Sequence, residues 1–102
     1  MRELDSLRKE MDRIDDELTR VFVRRMRLSA EIARYKQSKR LPLYDPARER
    51  EVLAKAVSIC GEGMEHYAGC LYRTLFAASR SYQQQALAAD ALAEPRGAGS
   101  RE

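Results

Sequence analysis

Apolar residues at Leu4, Leu7, Met11, Ile14, Leu18, Val21, Leu28, Ile32 and Tyr35 step along the chain by threes and fours. This is a heptad seam of roughly five repeats, and it predicts one helix over about residues 4–39. The count demands a further apolar residue between Val21 and Leu28, and Arg25 stands there. No Pro or Gly occurs before Pro42, so nothing in the backbone breaks the helix earlier, although Asp5 or Ser6 could cap it if its first residues fray. At 1.5 Å per residue it spans about 50 Å, whereas a compact chain of this length has a radius of gyration near 13 Å. Its own chain cannot cover it, and a partner is expected.

The pattern then changes. Gln37 to Tyr44 is a polar, basic loop ended by Pro42, which restricts Leu41 to extended backbone. Asp45-Pro46 is a helix start, with Asp45 as N-cap and Pro46 at the first helical position. It predicts a second helix over 46–60 with Val52, Leu53, Ala56 and Val57 inward, stopped by Gly61 to Gly63. A third helix is expected from about 65 to 89. Its main stripe is read as Leu71, Leu75, Ala78 and Tyr82, widened by Tyr72, Phe76 and Leu87, with Thr74, Ser81 and Gln85 beside it. The chain is therefore all-α, with a domain over 1–90 and a disordered tail over 91–102.

Charge makes the seam more informative. Charged residues are 34% of the 102, and 19 basic against 16 acidic residues leave a net charge of +3. Interspersed signs argue against a nucleic-acid footprint. No apolar run is long enough to cross a bilayer. Cys60 and Cys70 have no metal-ligand spacing, so they read as reduced, half-buried thiols of a cytoplasmic protein. Most of the helical charges need no function, since Glu10 with Arg13 and Glu17 with Arg20 are ordinary surface pairs. Arg8 and Lys36 share a heptad phase beside the seam, and either alone reads as a snorkelling side chain. Arg25 does not. A buried guanidinium without an anion costs several kcal/mol, so it needs a carboxylate from the protein or from a ligand.

Taken together, Leu7-Arg8, Ile14-Asp15, Arg25, Lys36, Pro42, Asp45, Arg48-Glu49-Arg50, Ser81 and Gln85 resemble the all-helical chorismate mutases of the AroQ class over about residues 4–87. The resemblance implies an intertwined homodimer of three-helix chains in which the long first helices pair. It also implies a cytoplasmic isomerase of phenylalanine and tyrosine biosynthesis, converting chorismate to prephenate. That pericyclic step needs no nucleophile, no metal and no cofactor, and its site binds a dianion in a chair-like transition state. By the same resemblance, Arg25 and Arg8 of the partner subunit would grip substrate carboxylates. Lys36 and Gln85 would donate to the ether oxygen, Glu49 and the backbone at Asp45 would receive the ring hydroxyl, and Arg48 and Ser81 would flank the ring carboxylate. Two alternatives are an isochorismate pyruvate lyase of the same fold and a non-catalytic dimerisation or adaptor helix. The first is disfavoured by the full Asp45 to Glu49 run. The second leaves Arg25, Ser81 and Gln85 without a reason.

Overall fold

The computed structural model describes residues 2–93. Three helices follow one another, α1 at Leu4–Ser38, α2 at Pro46–Cys60 and α3 at Glu65–Ala93, with no strand among the described residues. The radius of gyration is 18.8 Å, well above the ~13 Å of a compact chain of about 100 residues. α1 and α2 do not pack on each other; both lie against α3.

The chain-internal core is small because α1 turns its small residues inward. Ser29, Ala30 and Ala33 are buried on α1, and Gly69, Phe76, Ser79, Gln83 and Ala86 are buried on α3, where Gln83 meets Ser29. Small residues let the two helices approach closely, but they bury little apolar area. The seam faces elsewhere: Leu4, Leu7, Met11, Ile14, Leu18, Val21, Leu28, Ile32 and Tyr35 are all exposed. At about 1.5–3 kcal/mol per large apolar side chain buried, covering that stripe would add substantial hydrophobic free energy.

Local chemistry explains the helix ends. α1 begins after Glu3, which makes no side-chain capping bond, so neither Asp5 nor Ser6 serves as its cap. It ends where Arg40 adopts a left-handed φ of 57° and the Leu41 amide donates to the Lys36 carbonyl at 2.8 Å, an ending usually built with glycine. In α2 the Asp45 carboxylate accepts from the Arg48 amide at 3.1 Å. Gly61 and Gly63, at φ of 81° and 90°, turn the chain toward α3. No Asp or Ser caps α3; instead the Glu65 carboxylate reaches back to accept from the Gly63 amide at 2.8 Å.

Two expectations are corrected at the C-terminal side. α3 runs on to Ala93 rather than ending near 89, so 91–93 are helical. Alanine and leucine there are strong helix formers, and Asp90 is tied to α1 by Arg34, whose Nε donates to it at 2.8 Å. The hydrogen bond from Arg34 holds the Asp90 carboxyl below its ordinary range. Its small contribution is therefore present above the unfolded carboxylate pKa and lost as pH falls through the folded value. The disorder expected over 94–102 lies outside the described residues. Cys60 is half-buried but Cys70 is exposed, and both thiols are free.

Candidate functional site

Because α1 and α2 meet only through α3 and the 39–45 loop, a cavity of about 260 Å³ opens between them. α1 supplies Arg25, Ser29 and Lys36, and the loop with the start of α2 supplies Tyr44, Asp45, Arg48 and Glu49. α3 forms the floor with Phe76, Ser79, Arg80 and Gln83. Leu28, Ile32, Leu43 and Val52 add apolar wall.

Arg25 belongs to the seam by count, yet its side chain turns toward α3. It is half-buried, donates from Nη1 to Ser79 Oγ at 2.9 Å, and sits 5.9 Å from the ring centroids of both Tyr72 and Phe76. No carboxylate pairs with it among the described residues. Lys36, also half-buried, donates to the Leu43 carbonyl at 3.2 Å, which fastens the loop and leaves two ammonium hydrogens for the cavity. Asp45 spends its carboxylate on the α2 cap. Arg48 pairs with Glu51 at the rim, and Glu49 pairs with Arg80. Arg25, Lys36, Arg48 and Arg80 thus face Asp45 and Glu49 in one cavity, an excess of positive charge suited to a dianion.

Not every expected residue arrives there. Ser81 and Gln85 are exposed and outside the cavity. Their places are taken by Ser79 and Gln83, which have the same spacing and lie on the buried face. The inner stripe of α3 runs Gly69, Tyr72, Phe76, Ser79, Gln83, Ala86, one position on from the stripe read in the sequence, and Leu71 and Tyr82 are exposed. Gln83 Nε2 donates to the Ser29 carbonyl at 2.9 Å. A carbonyl only accepts, so the amide nitrogen is fixed on that side, with its second hydrogen still to be placed. Arg80 and Tyr44 also line the cavity without a signal of their own in the sequence, although Arg80 is adjacent to Ser79 and has the phase of Phe76. Arg8 is exposed and lies about 25 Å from Arg25 along the α1 axis, so it cannot reach its own chain's cavity.

Comparison with known proteins matches this arrangement to one family. Residues 7–84 match the family described as chorismate mutase type II. The chain is 34% identical over 93 residues to the bifunctional chorismate mutase/prephenate dehydratase of Aquifex aeolicus, covering 83% of this chain and 25% of that protein. It therefore spans about a quarter of the length of that curated relative. Among solved structures it resembles chorismate mutase form II from Thermus thermophilus, with a TM-score of 0.75 and 35% identity over 79% of this chain and 93% of that one. Form I of the Thermus protein gives a TM-score of 0.70 and 38% identity, covering 74% and 96%. With the fold, the length of the match and the cation-lined cavity in agreement, this chain belongs to the chorismate mutase type II family.

Proposed function

We propose that residues 1–90 form a catalytic domain that rearranges chorismate to prephenate, in the cytoplasm, as a homodimer with sites shared between chains. The observation that carries the reading is the convergence of Arg25, Lys36 and Arg48 on one cavity together with the neutral donors Ser79 and Gln83. Chorismate is a dianion, and its rearrangement asks the protein to fix a conformation and to stabilise charge on the ether oxygen as the C–O bond breaks. Arg25 and Arg8 of the partner subunit grip the carboxylates. Lys36 and Gln83 donate to the ether oxygen, the latter in place of Gln85. Arg48 and Ser79, in place of Ser81, flank the ring carboxylate, while Glu49 and the Asp45 backbone receive the ring hydroxyl.

Two features support the dimer. The seam of α1 is exposed along its whole length. A groove of about 400 Å³ between α2 and α3, lined by Ile59, Met64, Tyr67 and Leu71, is open to receive apolar side chains. The free thiols of Cys60 and Cys70 fit a reducing compartment, and no described helix is long and apolar enough to cross a membrane. The test is loss of chorismate absorbance with purified protein, followed by acid conversion of the product to phenylpyruvate. Pyruvate released from isochorismate, with chorismate untouched, would assign the lyase reaction instead.

Gln83→Glu gives a sharper test of the site. An ionised Glu offers only acceptors to an oxygen gaining negative charge, whereas the protonated acid donates as the amide does. Burial and a dianionic substrate push such a carboxyl above the ordinary value of about 4.3, and Lys36 pulls it down. The variant should be poorly active at neutral pH and gain activity on acidification, while the wild type keeps a flatter kcat/KM profile from about pH 4 to 8. Parallel profiles would remove Gln83 from the ether oxygen.

A further inference from the structure

Glu49 presents a difficulty that the family assignment does not address. A carboxylate in the wall of a cavity that receives a dianion opposes binding, and it does so most strongly where the cavity is partly shielded from water. Glu49 is such a group: its side chain is 25% exposed and lines the same cavity as Arg25 and Lys36. The answer lies on α3. Arg80 pairs through Nη1 with Glu49 Oε2, and its guanidinium carbon lies 5.2 Å from the centroid of the Tyr44 ring. One side chain thus joins α3 to α2 and to the loop in the wall of the cavity.

We infer that Arg80 is a positioning residue acting through Glu49: it cancels the Glu49 charge toward the incoming dianion and aims that carboxylate at the substrate's hydroxyl. The inference deepens the proposed function and rests on it. With one oxygen of Glu49 engaged by Arg80, the other remains to accept from a ring hydroxyl, and the pair presents a dipole to the substrate where a lone carboxylate would present a net negative charge. A guanidinium does this better than an ammonium, because its planar fork holds a carboxylate while its face rests on an aromatic ring. The two contacts come from different elements, so the orientation of Glu49 depends on the loop as well as on α2.

The test is a double-mutant cycle in kcat/KM with chorismate. Arg80→Met keeps the aliphatic stem against Tyr44 and removes the charge. It should lower kcat/KM roughly tenfold or more, chiefly by raising KM, and the loss should shrink as ionic strength rises and screens Glu49. In combination with Glu49→Gln, which removes the charge that Arg80 offsets, the further loss from Arg80→Met should fall to about twofold or less. Arg80→Lys should recover part of the KM. Melting curves by circular dichroism for every variant separate these effects from unfolding. If Arg80→Met costs the same factor with and without Glu49→Gln, Arg80 acts on the substrate directly or not at all, and the inference fails while wild-type turnover leaves the proposed function standing. Prephenate binding by calorimetry gives the same cycle without turnover. A wild type that neither consumes chorismate nor binds prephenate overturns both.

Discussion

Mixing two nearly inactive proteins should restore activity. Arg8→Ala and Arg25→Ala each remove a guanidinium that would meet a substrate carboxylate, and truncating one partner of such a charge pair costs on the order of 2–5 kcal/mol, so each homodimer should lose about thirtyfold or more in kcat/KM. Arg8 is exposed near the start of α1, whereas Arg25 turns toward Ser79 in the cavity, about 25 Å further along a rigid helix. A cavity that uses both must take Arg8 from a second chain. In a mixed dimer one chain then offers an intact Arg25 and the other an intact Arg8, which completes one site and doubly damages the other. Each mixed dimer should show about half the wild-type activity, and random assortment should give about a quarter for the whole mixture. Refolding the two variants together and assaying chorismate loss checks this, with native mass spectrometry confirming that mixed dimers form. Mixed dimers without activity would place both arginines in one chain's site and refute the shared geometry.

Lys36→Ala should lower kcat by about a hundredfold, with a smaller change in KM. The ether oxygen carries little charge in bound chorismate and more as the bond to carbon breaks, so a cation aimed at it gains strength during the step. Removing one such donor costs about 3 kcal/mol, and each 1.36 kcal/mol is a factor of ten in rate. Lys36 also holds the loop by its bond to the Leu43 carbonyl, and loosening that loop would weaken binding rather than slow the bound reaction. The division between kcat and KM therefore separates the two roles. Stopped-flow single turnovers at saturating enzyme read the chemical step directly. A variant with normal kcat and raised KM would reduce Lys36 to an anchor for the loop and a substrate carboxylate.

The neutral donors of α3 show where reading the sequence met its limit. Arg25 announced itself because a cation interrupts an apolar seam, and Asp45, Arg48 and Glu49 because they follow a proline-marked helix start; the structure places them with Lys36 around one cavity. On α3 the chain offers two Ser and Gln pairs with the same spacing, Ser79 with Gln83 and Ser81 with Gln85. The pair that lines the cavity is the one in phase with Phe76 and Tyr72. Those two aromatics are legible as apolar positions, but spacing alone makes them the flank of a stripe through Leu71 and Tyr82, which are exposed in the chain.

What the sequence determined by itself was the set of helices, because heptad spacing, an Asp-Pro start and a glycine-rich stop act on the backbone nearby. It also determined that α1 cannot be covered by its own chain, since length alone puts its seam beyond reach. The rotation of α3 was decided only in the tertiary structure. A helix turns by about 100° per residue, so moving two positions carries a side chain to the opposite face, and either phase of α3 is an equally good helix. The choice between them belongs to packing against α1. There Ser29 and Ala33 leave room for a close approach, and the buried Gln83 amide finds its acceptor in the Ser29 carbonyl.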